Sequence, residues 1–371
     1  MKRLLVRLLA NLLLVVVSIS IGFAGLELFL RAEPLFHTPA AAISAPSPRL
    51  LEIPPPESGS EIRVPDEILA KKTARPNPLI LPDAWKKRDV KVPGAYAAHY
   101  WHGVLFVQNA DGMRWILPFP EKRADTYRVM VVGDSLTYGY GLPEEDRFSS
   151  LLNDEMGRDF RIEFINLGVP GHQSEDILRV IRKYLPILQP DLVLYAICLN
   201  DFLPSGRGQY ANDYNFPLPE TIKSALIAHT RAGAFLSDAY DRALRRLHLR
   251  GDFFDDILRD FEGYQQRFGR DVQEINSAVR QAGLPPLVGL VVDQFPEYGG
   301  RGYRIAHVAE HYLTQAGAEV IPTENFYRAY HGQQMSISKW EGHPDEVANF
   351  IWATMISRRL HAHEDIQAFR R

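Results

Sequence analysis

Thr126-Tyr127-Arg128-Val129-Met130-Val131-Val132-Gly133-Asp134-Ser135-Leu136-Thr137 is the stretch that decides how this chain is read. Its first seven residues are mostly β-branched or large and apolar, the composition of a strand buried on both faces. The run breaks at Gly133, and a helix-like stretch follows from about Phe148 to Met156. The pattern predicts a strand ending in a sharp turn, with Ser135 on that turn. Ligands of open parallel sheets collect in the crevice outside the carboxyl ends of the strands. A serine in that position is placed to act as a nucleophile.

Further along the chain the same alternation repeats. Predicted elements after strand 126–132 are a helix at 146–157, a strand at Arg161–Asn166 and a helix from about Ser174 to Tyr184. Ser174 is expected to cap that helix, with Glu175 and Asp176 in its first turn, and Pro186 is expected to stop it. Strand Asp191–Ile197 follows, then a helical insertion at about 202–255 and a long helical stretch at 256–282. Strand Leu287–Val292, helix Gly302–Gln315, strand Glu319–Pro322 and a final helix at 344–360 complete the series. Alternation of this kind predicts an α/β fold, a three-layer sandwich with a central parallel sheet, over residues 125–362.

Upstream, Lys2, Arg3 and Arg7 precede an uncharged run from Leu8 to Leu26, long enough to cross a bilayer as a helix. The positive flank predicts that the remainder lies outside the cytoplasmic membrane, on the periplasmic side. Two readings stand side by side. One is an uncleaved single-pass anchor over residues 1–36, favoured because the apolar run continues through Leu28, Phe29 and Leu30. The other is a signal peptide cleaved near Gly22-Phe23-Ala24. Residues 37–65 hold seven prolines and read as a semi-extended linker. Residues 66–124 read as a small β preface, with a hairpin of Val104–Val107 and Met113–Ile116 about the turn Asn109-Ala110-Asp111-Gly112.

The chain has 371 residues, 46% of them hydrophobic, enough for one large α/β domain and its attachments. A net charge of −3 offers no case for nucleic acid as a partner, and the single Cys198 excludes an internal disulfide framework. No cofactor is expected.

A serine hydroxyl needs a base within hydrogen-bond reach, an orienter for that base and donors aimed at the oxyanion. The candidate donors are Gly171, in Asn166-Leu167-Gly168-Val169-Pro170-Gly171-His172, and Asn200, in Leu199-Asn200-Asp201. Each follows a predicted strand and so lies on the same sheet edge as Ser135. The candidate base is His343 in Trp340-Glu341-Gly342-His343-Pro344, just before the last helix, with Glu341 close enough in sequence to orient it. Asp293, at the end of strand 287–292, is another candidate orienter.

These residues resemble the SGNH/GDSL hydrolases, in a bacterial membrane-anchored branch. That family's four blocks are a Gly-Asp-Ser-Leu turn, a glycine loop, a Gly-x-Asn-Asp segment and an Asp-x-x-His loop. They correspond to Gly133–Leu136, Gly171, Asn200-Asp201 and His343-Pro344. The resemblance implies that Ser135 attacks an ester carbonyl with His343 as base. It also implies that the Ser135 and Gly171 N–H groups and the Asn200 amide hold the oxyanion. Two positions depart from the pattern. Cys198 stands where the third block has glycine, and Trp340 stands where the last block has aspartate, leaving Glu341 as the acid. An α/β-hydrolase elbow is disfavoured, since it needs glycine where Thr137 stands.

Asp134 and Asp201 read as structural braces of their turns, His172 as a solvated loop residue and Cys198 as a buried strand-end thiol. His307-Val308-Ala309-Glu310-His311 fits a His-x-x-Glu-His zinc pattern but lacks an evident third ligand, so no metal is expected. The expected function is that of a membrane-anchored serine esterase acting on O-acyl esters of a glycan or lipid, with acetyl as one candidate acyl group. An O-acyltransferase with the same machinery, and a degenerate scaffold of this fold, are the alternatives.

Overall fold

The computed structural model describes residues 14–15, 17–28, 62–73, 88–101, 103–205, 222, 226, 230–247, 253–293, 300–323, 335–337 and 342–371. It divides into two compact units, Met1–Pro46 with Tyr210–Asp252, and Ser47–Gln209 with Phe253–Arg371.

Among the described residues of the second unit, eight strands form two sheets. The first is antiparallel, β1 (Arg88–Asp89), β2 (Ala97–Trp101) and β3 (Val104–Gln108) in that order. The second is parallel and five-stranded, from β4 (Tyr127–Gly133), β5 (Ile162–Asn166), β6 (Leu192–Ile197), β7 (Val288–Val291) and β8 (Glu319–Ile321). Its order, β5-β4-β6-β7-β8, puts the nucleophile strand second from the edge. The crossover direction reverses at β4, the kind of switch point where a crevice opens.

Ten helices are labelled: α1 (Asp66–Thr73), α2 (Ser135–Tyr138), α3 (Phe148–Asp159), α4 (Ser174–Leu188), α5 (Arg231–Arg246), α6 (Phe253–Leu258), α7 (Phe261–Gln281), α8 (Arg301–Gln315), α9 (Glu346–His361) and α10 (Glu364–Gln367). All seven residues of β4 are buried, and their side chains alternate between two cores. Val129 and Val131 face one core, built with α3, α9 and α1. Met130 and Val132 face the other, built with α4, α7 and α8. The result is an α/β arrangement with a central parallel sheet between two helical layers.

Three local expectations are corrected. Strand β3 pairs with β2, not with Met113–Ile116. The Asn109 side chain accepts from Asp111 N (3.0 Å) and Met113 N (3.1 Å), and this tight turn tucks Met113 and Arg114 inward instead of returning them along β3. Helix α4 is capped by Gln173, whose N–H bonds the Asp176 carboxylate at 3.1 Å. Ser174 is already helical, and its hydroxyl meets Asp271 at 2.5 Å. Pro186 lies inside α4, which runs on to the fully buried Leu188. In a last turn, proline removes a single hydrogen bond, and burial of Leu188 outweighs it.

In the first unit, residues 17–28 are helical, and the Glu27 carboxylate accepts from Ala232 N at 2.5 Å, at the start of α5. Among the described residues no helix is long and apolar enough to cross a membrane. Most of the expected anchor, and nearly all of the proline linker at 37–65, lie outside the described residues.

Candidate active site

The nucleophile turn is built from its own sequence. Asp134 precedes the single-turn helix α2, and its carboxylate accepts from Leu136 N at 2.9 Å. Ser135 is the first helical residue and only 4% exposed. Position 168 explains a glycine that the sequence reading passed over. A Cβ there would lie 2.4 Å from Tyr138 N and 2.7 Å from Thr137 C, so the glycine loop presses directly on the backbone of α2. Asn166 binds the two together from below. Its amide donates to Thr137 O (2.7 Å) and Ser149 Oγ (2.8 Å), and its carbonyl accepts from Gly168 N (2.9 Å). Gly171 takes φ +83°, a left-handed turn that a side chain would strain.

Asn200 sits in a short 3₁₀ turn after β6, and its amide donates to Asp134 Oδ2 at 2.9 Å. This bond occupies one amide hydrogen and fixes the plane of the group; a second hydrogen remains. Among the described residues, neither the Ser135 nor the Gly171 N–H is bonded to another group. Burial pushes the Asp134 carboxyl above the usual range, opposed by the Leu136 N–H, His343 and the Asn200 amide. Asp201, fully buried, accepts from Cys198 N at 3.1 Å, and burial together with the Asp134 charge pushes it well up. The Cys198 thiol is likewise pushed well up, by burial and then by Asp134, Asp293 and Asp201, which leaves it a poor nucleophile.

His343 arrives from the far end of the chain. Its Nε2 lies 3.0 Å from Ser135 Oγ, across 208 residues of sequence. A short antiparallel bridge pins its loop, with Ile337 N donating to His343 O (2.8 Å) and Asp345 N to Met335 O (2.8 Å). Asp345 then caps α9, accepting from Val347 N and Ala348 N. The loop packs on the nucleophile side through Gly141, at φ +86°, where a Cβ would fall 2.0 Å from Ile337 Cδ1. Glu341 and Trp340 lie outside the described residues. Asp293 is buried just past β7.

Other sequence candidates take structural roles. His172 is not the solvated residue expected but half-buried, and burial lowers its pKa. His307 Nδ1 pairs with Glu310 at 2.8 Å, and Glu310 also accepts from Thr323 N at 2.6 Å, tying α8 to the end of β8. Among the described residues no group of three or more His, Cys, Asp or Glu could hold a metal ion.

Two buried arginines escaped the sequence reading. Arg114 donates to Gly139 O (3.3 Å) and Leu142 O (2.8 Å), and Arg147 to Tyr138 O (3.4 Å), so together they bracket the exit from α2. Burial lowers their pKa values to about 10 and about 9. Their only sequence signal is Arg114 inside an otherwise apolar Met113–Ile116.

Among solved structures, the chain is similar to TesA at 14% identity, covering 63% of this chain and 98% of that one, with a TM-score of 0.40. It is similar to a lipase/acylhydrolase from Enterococcus faecalis at 14% identity, 63% and 95% coverage and a TM-score of 0.38. A catalytic mutant of Axe2, an acetylxylan esterase from Geobacillus stearothermophilus, shows 12% identity, 63% and 94% coverage and a TM-score of 0.40. No curated protein sequence matches the chain. Residues 131–361 match the profile of the GDSL-like Lipase/Acylhydrolase family, a span that begins within the nucleophile strand and ends with α9. With the family's serine and histidine in hydrogen-bond contact across that span, the chain belongs to the GDSL-like lipase/acylhydrolases, the SGNH hydrolases, and acts on ester bonds.

Proposed function

We propose that this protein is a membrane-anchored serine esterase that removes O-acyl groups from a glycan or lipid through an acyl-enzyme. The observation that carries the reading is the 3.0 Å contact between His343 Nε2 and Ser135 Oγ. At that distance the imidazole takes the serine proton as Oγ attacks the ester carbonyl, then returns it to the leaving alcohol. The same imidazole next activates a water that releases the acid and regenerates Oγ–H.

The developing oxyanion is held by the Ser135 and Gly171 N–H groups and by the free hydrogen of the Asn200 amide. Asp134 acts through Asn200. By accepting one amide hydrogen at 2.9 Å it turns the other toward the rim where charge develops. Glu341 is the proposed orienter of His343, with Asp293 as the alternative. The pairing of serine with histidine favours an active enzyme over a degenerate scaffold. The apolar run from Leu8 to Leu26 behind Lys2, Arg3 and Arg7 supports a single-pass anchor in the cytoplasmic membrane with the hydrolase on the periplasmic side.

The test is reaction of the full chain with a fluorophosphonate probe, followed by mapping of the labelled peptide. Label on Ser135, lost in His343→Ala, is the expected result. Label elsewhere, or none in a protein that hydrolyses p-nitrophenyl acetate, sinks the mechanism. Extraction of membranes with alkaline carbonate tests the anchor, which predicts that the protein stays in the pellet.

A further inference from the structure

The antiparallel sheet lies upstream of the family-matched span, yet it reaches Tyr140, the ring that meets His343. Trp101, the last residue of β2, packs against Tyr140 with ring centroids 4.3 Å apart and planes inclined by 43°. Tyr140 in turn meets the His343 ring at 4.9 Å and 46°. Its backbone N–H donates to Ser135 O at 3.1 Å, so Tyr140 is tied to both members of the pair. Phe106, fully buried in β3, supports the row from behind. It lies 5.8 Å from Tyr140, is stacked on Tyr138 and has the Arg114 guanidinium 4.4 Å over its ring. Trp101, Tyr140 and His343 all remain half-buried, open in part to solvent.

We infer that Trp101 and Tyr140 form a binding platform for the alcohol side of the ester, and that the alcohol is a pyranose sugar. This rests on the esterase reading above. The side is fixed by chemistry: the histidine delivers its proton to the leaving alcohol, so groups packed beside His343 face the alcohol and not the acyl chain. The ligand class follows from the shape of the site. A pyranose has an apolar face of C–H groups and a polar rim. An aromatic face carries negative charge density that attracts such C–H groups, while a half-open wall leaves the hydroxyl rim in water. A lipid alcohol would call for an enclosed apolar channel, whereas these rings stand at the rim. The preface is therefore a specificity element of the hydrolase, with Trp101 its contact residue.

The experiment compares wild type, Trp101→Ala and Trp101→Phe on three acetate esters, with acid release followed by pH-stat. Ethyl acetate has a leaving group too small to reach the platform, methyl tetra-O-acetylglucopyranoside supplies a pyranose and octyl acetate supplies a lipid-like alcohol. Trp101→Ala is expected to lower kcat/KM on the sugar ester about tenfold or more, mainly through KM, and to change the other two less than about twofold. Trp101→Phe, which keeps a ring, restores most of the loss. An equal fall on all three esters means that Trp101 only holds the fold, and overturns the platform. A fall on octyl acetate as large as on the sugar overturns the choice of sugar. Wild type that cleaves ethyl acetate but not the sugar ester ends this inference and leaves the esterase intact. Wild type inert toward all three ends both.

Discussion

The two halves of the catalytic pair are held in different ways. Ser135 is fixed by neighbours close in sequence and by the sheet itself: the Asp134 cap, the Asn166 brace, and Gly168 pressed on the α2 backbone, all buried. His343 is held by a loop with one short bridge, by Ile337 lodged against Gly141 and by the Tyr140 ring, and it remains half-exposed. The proposed nucleophile is thus part of the core, while the proposed base is attached to it.

The largest test of this contrast removes each partner. Ser135→Ala and His343→Ala should each lower kcat by about 10⁴-fold or more without unfolding the protein, checked by circular dichroism beside the rate. Comparable losses are expected because the two act as a unit. Retention of most activity in His343→Ala would break the pairing.

Asn200→Ala should cost about 10²- to 10³-fold in kcat, the usual effect of losing one oxyanion donor. Asp134→Asn should cost less, since Asp134 positions the amide without touching substrate, and its effect should shrink in the Asn200→Ala background to what its contacts with Ser135 Oγ (3.4 Å) and Leu136 N (2.9 Å) contribute. Additive losses in the double variant would refute that dependence.

The glycines separate the two sides by what their loss does to the rate. Gly168→Ala drives a Cβ into the α2 backbone, which cannot yield, and should destabilise by about 1–3 kcal/mol in thermal unfolding. Gly141→Ala meets the end of the flexible Ile337 side chain. It also forces a side chain into the left-handed φ of +86°, so it should destabilise as well, and in addition lower kcat, because the histidine loop is displaced. A Gly141→Ala variant with unchanged kcat would mean that Ile337 does not hold the histidine loop.

The smallest effect concerns pH. Asp201 has a folded-state pKa raised above its ordinary 3.8, so the folded protein holds a proton that the unfolded chain releases. Stability from this group is present below that value and is lost as pH rises toward the folded pKa. Asp201→Asn keeps an acceptor for Cys198 N and removes the titration. Its stability relative to wild type should therefore grow as pH rises through that window. Denaturant unfolding at several pH values measures this, and a constant difference would contradict it.

Much of the site was legible because its determinants are local. A buried apolar run broken by Gly-Asp-Ser-Leu announces a strand and a nucleophile turn, and the strand–helix alternation places each later candidate on one sheet edge. What escaped was whatever depends on packing between distant segments. Nothing around Val104–Val107 says that Ala97–Trp101, and not Met113–Ile116, is its partner, because the side chain of Asn109 redirects the chain. Nor does Trp101 announce a place beside Tyr140, whose ring meets His343.

The amino-acid sequence by itself therefore determined the layered α/β fold and singled out Ser135 as the proposed nucleophile, since hydrophobic periodicity and turn chemistry act over a few residues. The tertiary structure alone decided that His343 meets Ser135 at 3.0 Å, that Asn200 is oriented by Asp134, and that the preface supplies an aromatic wall. Those contacts join residues whose separation along the chain carries no information about distance. Only the closing of the sheet and the packing of its rim bring them together.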